Sequence, residues 1–457
     1  MNISILDGSI IIIYLMLILT IGLFISRKEG VESYFVNNRS TRLFFLVFTA
    51  LSTSIGAGTV LGVASSSFST GISLGVTFMI ASVLGWGLMG YLAPRIKKFG
   101  DDTRAYTFGD YLAHQYSEST RKVSRIVVVV AYFFATAIQF VAFAQLINVT
   151  TNLSFTPAIL IVALVTIIYT TLAGVKGDFV TDSIQFFIIL PVFIFLFLEG
   201  FSIVGFQELL TLPDGFFNLY SYDGPTFFWA GLALGFPLIV TSVDAWQRVF
   251  AADNRKTARK AFWISGALKI LAIGAAMVVG FLAFHIVPNA PQDAAMFALM
   301  QEILPSGLLG LGLASILAII MSTVDTGILV GSATITKDFY LVKNPNASNT
   351  QILKVGRLSS LLFGIGGLLL AYFINDIVIL GVVSVQILLI FAPALLGGLV
   401  WNINNKQAAF WSILFGFMVT LAVLPFDVNR AFIPGIVVSI VAYLVPLIFS
   451  QGETKIS

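Results

Sequence analysis

Apolar runs long enough to cross a bilayer fill nearly the whole chain, and no other feature constrains its folding as tightly. Windows of about twenty apolar residues fall at 8–26, 43–71, 72–94, 123–147, 155–174, 180–203, 226–247, 262–286, 305–333, 358–374, 377–400, 408–425 and 431–449. Inside hydrocarbon a segment must satisfy its own backbone hydrogen bonds, so each run folds as a helix. The pattern predicts an all-α polytopic membrane protein with about 13 transmembrane helices. Composition agrees, with 58% hydrophobic and only 10% charged residues among 457, where soluble domains carry about 25% charged. The connecting loops are short, so we expect one membrane domain, 1–457, with no soluble catalytic domain and no nucleic-acid partner.

Lysine and arginine orient the helices. They cluster at Arg27 to Arg42, Arg95 to Arg104, Arg121 to Arg125, Lys176, Arg248 to Lys260, Lys337 to Arg357, Lys406 and Lys455, which are alternate loops. The loops between them, such as 204–225 and 287–304, carry Glu208, Asp214, Asp223, Asp293 and Glu302 but no base. Of 25 basic residues, only Arg430 falls on the opposite side and only Lys269 lies deep within a run. The positive-inside rule then puts the N-terminus outside and the C-terminus in the cytoplasm of a cell membrane. The first run starts at Gly8 without a preceding basic region or a small-residue cleavage site, so it reads as a retained helix. Cysteine is absent, which excludes disulfides, thiol catalysis and thiolate metal sites. His114 and His285 are far apart near run ends and read as interfacial or loop residues. Neither clustered histidines nor paired interfacial acids suggest an enzyme.

Two runs are interrupted where an unbroken helix would avoid it. The second contains STSIGAGTVLG, with Gly56 and Gly58 near its middle, and the seventh contains GLALGFPLIVTS, with Gly235 and Pro237 at similar depth. Glycine costs a helix interior about 1 kcal/mol and proline about 3 kcal/mol. Breaks at matching positions of two halves point to a midplane transport site. An offset of five spans gives the halves opposite topology, so the repeat would be inverted. The ninth run adds polar residues at depth: in LGLASILAIIMSTVDTGILVGSATITKDFY, Ser322, Thr323, Asp325 and Thr326 lie mid-helix. Side chains three and four apart share a face, so Ser322, Asp325 and Thr326 can converge on one object. A hard cation taking oxygen ligands would satisfy them.

With these motifs in view, the chain resembles the sodium:solute symporters, the family of bacterial proline, pantothenate, sialic acid and sodium–sugar symporters. The resemblance rests on ESYFVNNRS (32–40), GVKGDFVTDSIQ (174–185), DAWQRVFAA (244–252) and MSTVDTGILVGSATITKDFY (321–340). It implies a LeuT-type 5+5 inverted repeat: a preceding helix and loop at 8–42, repeats at 43–203 and 226–400, and two following helices at 408–449. It also implies a sodium site made by the carbonyls of Ser52, Ile55 and Ile319 with the hydroxyls of Ser322 and Thr323. Neutral oxygens suit a monovalent ion that must also leave. A second sodium site would join Asp182 to Ser322, Asp325 and Thr326, whereas the alternative reading of Asp182 is a helix cap near the interface. Two carboxylates held together resist ionising at once, so proton binding at Asp182 and Asp325 stays open beside sodium.

The solute site is expected beside the two breaks, walled by Ser54, Thr59, Phe78, Ser82, Gln139, Thr241, Ser242, Lys269 and Gln386. An intramembrane charge such as Lys269 is costly and usually functional. GALKILAIG is similar to the segment around a sugar-contacting lysine of sodium–sugar symporters, yet Leu238 and Ile239 stand where those proteins keep an aromatic pair. Gln139 stands near the place where sialic acid transporters keep an arginine. The solute is therefore a sugar, an amino acid or a monocarboxylate. The predicted activity is secondary active symport, with sodium entry driving solute uptake by alternating access. Proton-coupled symport and a sodium-independent channel are the alternatives, and no obligate protein partner is evident beyond lipid, sodium and solute.

Overall fold

A computed structural model of the chain describes residues 4–26, 30–151, 154–209, 211–374, 380, 383–384, 387–427 and 431–453. Among these the fold is all helical. In chain order the helices are α1 (Ile5–Ser26), α2 (Val31–Val36), α3 (Leu43–Ser54), α4 (Ala57–Thr70), α5 (Ser73–Thr103), α6 (Phe108–Gln115), α7 (Glu118–Thr151) and α8 (Phe155–Val204). They continue with α9 (Phe206–Leu209), α10 (Gly224–Gly235), α11 (Leu238–Thr241), α12 (Val243–Ala251), α13 (Arg255–Ile286), α14 (Ala295–Ile303) and α15 (Leu308–Thr334). A π-helical turn, Ile335–Leu341, extends α15. The last are α16 (Asn349–Phe373), α17 (Ala392–Leu399), α18 (Lys406–Val423) and α19 (Phe432–Glu453). Nine helices among the described residues are long and apolar enough to span a membrane, and Leu43–Ser54 with Gly58–Thr70 forms a further span bent by 50°.

The helices and the apolar runs differ in ways that have physical causes. The loop expected between 155–174 and 180–203 is absent; the chain passes from one run to the next within α8 through a single non-helical residue, Gly174 (φ 58, ψ −164). Only glycine enters that region without strain. Several helices also run beyond their apolar windows on the basic side. α5 continues to Thr103, α13 starts at Arg255 behind an Asn254 cap, and α16 starts at a Ser348–Gln351 capping box. Hydrophobicity marks the part of a helix in lipid, whereas caps mark where it ends. Of the run at 377–400, residues 377–379, 381–382 and 385–386 lie outside the described residues, and α17 forms its later part.

Helix α15 occupies the centre, nearly all of it buried, whereas α19 keeps most of its surface outward. It packs on α8, α7, α1, α16 and α3. Its N-terminus is capped from α1, where the Asp7 carboxylate accepts 2.7 Å hydrogen bonds from the Gly307 and Gly310 amides. A carboxylate there satisfies two free amides and meets the positive end of the helix. The outward surface is apolar, with Leu198, Phe373 and Phe449 among its exposed residues, as hydrocarbon contact requires.

Candidate ion and solute site

The first break lies at Ile55 and Gly56. Ile55 leaves helical geometry (φ −105, ψ 36), Gly56 is extended in ψ (−178), and the helix restarts at Ala57. Gly58, expected to share the break, is the second residue of α4. Opposite the break stand two hydroxyls of α15. Ser322 Oγ lies 3.4 Å from the Ser52 carbonyl and 2.9 Å from the Ile319 carbonyl. Thr323 Oγ1 lies 3.5 Å from the Thr53 carbonyl and 3.4 Å from the Ile319 carbonyl. Five neutral oxygens from two helices are thus gathered, and the buried Ser52 hydroxyl beside them has no hydrogen-bond partner among the described residues. A Cβ at 56 would sit 2.7 Å from Thr323 Oγ1, so any larger residue would displace that hydroxyl. It would also lie 3.5 Å from Gln139 Nε2, which places buried Gln139, with its Oε1 unpartnered, at the same break.

One turn further along α15 is a cluster of charge. The carboxylates of Asp178, Asp182 and Asp325 offer oxygens that all lie within 4.8 Å of one another, and all three residues are buried. Asp182 is thus no interfacial cap; its Oδ2 accepts a 2.6 Å bond from the Thr49 hydroxyl of α3. Asp325 is held by the Tyr169 hydroxyl and by the Thr326 amide at 3.0 Å. The kink at Gly174 lies between Tyr169 and Asp178, so both halves of α8 reach α15. Among the acids sits Arg248 of α12. Its Nη2 is 3.3 Å from Asp178 Oδ2 and 3.5 Å from Asp182 Oδ2. The same nitrogen donates to Thr326 Oγ1 at 2.9 Å and to Thr53 Oγ1. Asp182, Asp325 and Thr326 lie in one cluster with Asp178 and Arg248, whereas Ser322, the other residue expected there, bonds to the Ser52 and Ile319 carbonyls. GDFVTD put Asp178 four residues before Asp182, one turn apart on a helix face, and that spacing was the signal for it. Nothing in DAWQR showed which way Arg248 would point.

The second break is longer than Gly235 and Pro237 suggest. α10 ends at Gly235, α11 lasts one turn, and Ser242 is extended (φ −76, ψ 115) before α12 begins. Ser242 Oγ donates to Asp244 Oδ1 at 2.7 Å, and the Tyr132 hydroxyl binds the same oxygen at 2.5 Å. Lys269 is half-buried with its ammonium 5.8 Å from the Trp86 ring centroid. Neighbouring Gly85 abuts the Phe236 carbonyl at the break. Lys269 makes no ion pair among the described residues. Three other predicted wall residues satisfy themselves locally: Ser54 on the Leu51 carbonyl, Thr59 on the Ser54 carbonyl and Thr241 on the Leu238 carbonyl. Ser82 is buried one turn before Trp86. Phe78 packs in an apolar cluster with Val63, Ile273, Ala276 and Met277. Gln386 lies outside the described residues.

Comparison with known proteins bears on this arrangement. A family model described as the sodium:solute symporter family matches residues 34–416. A sodium/pantothenate symporter of Haemophilus influenzae is 27% identical over 77% of this chain and 75% of its own length. A sodium/proline symporter of Staphylococcus aureus is 25% identical over 95% of this chain and 91% of its own. Among solved structures, a Na+-coupled sialic acid symporter in a substrate-bound outward-open state, reported to reveal a novel Na+ site, aligns with TM-score 0.86. It shares 17% identity over 98% of each chain. Mhp1, a nucleobase-cation-symport-1 family transporter in a closed conformation, aligns at 0.61 with 13% identity over 92% of this chain and 95% of its own. At these identities the structural likeness speaks for the fold.

Proposed function

Because the chain belongs to the sodium:solute symporter family, we propose that it couples sodium entry to uptake of a small carboxylate-bearing solute by alternating access. The family's members are transporters rather than enzymes, and the chain is a multi-pass membrane protein. Sodium takes the oxygens of Ser52, Ile55, Ile319, Ser322 and Thr323. The observation that carries this reading is the pair of α15 hydroxyls facing α3 carbonyls across the break at Ile55 and Gly56. A cation there bridges α3 to α15 and holds the broken helix in its binding geometry. The remaining expectations are part of the same proposal: thirteen spans, two inverted five-helix repeats, the N-terminus outside and the C-terminus in the cytoplasm.

The solute lies between the two breaks, with Gln139 on one side and Lys269 on the other. Lys269 favours an organic acid or amino acid, because its cation lacks an ion-pair partner among the described residues, and a charge at that depth needs one. The relatives named for pantothenate, proline and sialic acid carry solutes that all bear a carboxylate. The driving force suffices, since a sodium ion crossing 100 mV releases about 2.3 kcal/mol. A tenfold gradient adds about 1.4 kcal/mol, and the total sustains a solute gradient of several hundredfold.

The test is a thermal-shift screen of the purified transporter against amino acids, monocarboxylates and sugars, in sodium and in potassium. A bound solute raises apparent stability by mass action. A carboxylate should stabilise in sodium only, and Lys269→Gln should remove that response. Stabilisation that is equal in potassium would refute sodium coupling, and a sugar as the single hit would refute the carboxylate reading.

A further inference from the structure

We propose that Arg248 is the built-in cation of the acidic cluster: its guanidinium stands where a second sodium would bind, so the transporter takes one sodium ion. This rests on the sodium reading of the Ser322–Thr323 oxygens. Thr326, Asp325 and one oxygen of Asp182, which a second ion would use, already have protein donors. Thr326 Oγ1 accepts from Arg248 and donates to Asp178 Oδ1 at 3.3 Å. Asp182 Oδ2 is shared by Thr49 and Arg248. Asp325 has Tyr169 and a backbone amide. An added sodium would meet a fixed positive charge among the same oxygens.

Arg248 is also held in place on both sides. Trp246 Nε1 donates to the Val240 carbonyl at 2.8 Å, and Gln247 Nε2 donates to the Phe35 carbonyl at 3.1 Å. Beyond them the Thr41 amide donates to the Ala251 carbonyl at 3.0 Å. These bonds fix the α12 backbone from which the Arg248 side chain reaches the acids. Thr53 joins the two sites: its carbonyl faces Thr323, and its hydroxyl holds Arg248. Arg248 is thus a positioning residue that links the second broken helix to the ion bound at the first. Asp182 Oδ1 has no hydrogen-bond partner among the described residues, and it is the oxygen a sodium would take once the guanidinium charge is gone.

The experiment counts radioactive sodium bound at saturation per molecule of purified protein, with no solute present. Wild type and Arg248→Lys should bind one ion. Arg248→Gln should bind two, and Arg248→Gln with Asp182→Asn should return to one. Two ions on wild type, with one lost in Asp182→Asn alone, would overturn the proposal, as would a count of one in folded Arg248→Gln. If Arg248→Gln fails to fold, the wild-type count still decides. Failure of the first-site reading would look different: Ser322→Ala with Thr323→Ala would keep its ion.

Discussion

The molecule carries two networks of charge, and they are built on opposite balances. The central one sets Asp178, Asp182 and Asp325 against Arg248 alone. The other lies at the side of the basic loops, around the π-helical turn that follows α15. There Arg121 Nε donates to Asp338 Oδ1 at 2.8 Å, its Nη2 pairs with Asp110 Oδ1 at 2.8 Å, and Thr107 donates to Asp338 Oδ1 at 3.0 Å. Arg125 binds the Asp338 carbonyl, the Lys337 ammonium lies 3.5 Å from the Tyr106 ring centroid, and Arg39 pairs with Glu32 at 3.0 Å. Cations match or exceed acids in this second network, which is partly open to water. It joins α2, α6, α7 and the end of α15, and a small cavity lined by Tyr106, Val243, Val330 and Ala333 lies just inward. A balanced network of this kind can lock helices together. The central network instead lies fully buried, where a charge must be met by a fixed partner.

The sharpest way to break this contrast is to remove the neutral oxygens next to the central cluster. A hydrogen bond to a charged group is worth about 1.5–3 kcal/mol, so losing two hydroxyls predicts sodium binding weakened by roughly 100-fold or more. Ser322→Ala with Thr323→Ala should show that loss in a sodium titration while the protein still expresses, and undiminished affinity would sink the assignment. Gly56→Ala comes next. Its methyl group would press on Thr323 Oγ1, and crowding a packed site costs about 1–3 kcal/mol. Sodium affinity should fall by roughly tenfold, with the fold intact by circular dichroism.

The network at the basic-loop side should answer to a different measurement. The chain has no cysteine, so Ala333→Cys gives a single reporter inside the small cavity. Asp338→Asn removes one partner of a largely buried ion pair, and a shift of about 1.4 kcal/mol toward opening means tenfold. The reporter should react roughly tenfold faster with a membrane-impermeant thiol reagent applied from the basic-loop side. Sodium affinity should change far less, and an equal change in both would merge the two networks into one. The smallest effect is expected of Gly174→Ala, which tests whether the kink aims Tyr169 and Asp178 at α15. Holding alanine in that backbone region costs about 1–3 kcal/mol, so the melting temperature in detergent should fall by a few degrees. An unchanged melting point would mean the kink is relaxed without glycine.

Patterns local in the chain were enough to read the membrane class, most of the spans, both breaks and the hydroxyls of α15. Apolar length is set by bilayer thickness, and Gly56, Pro237, Ser322 and Thr323 act through their own backbone or helix face. Motif resemblance named the Ser52 carbonyl that Ser322 faces, but not the Thr53 carbonyl that Thr323 meets. Tertiary structure alone decided what fills the acidic cluster. Asp178, Asp182, Arg248 and Asp325 come from three helices, and the side chain that reaches between the acids depends on how α12 is pinned beyond Ser242. The sequence by itself determined which residues bear charge in the membrane. Only packing decided which charge neutralises which, because Coulomb energy depends on separation in space, and separation along the chain says nothing about it.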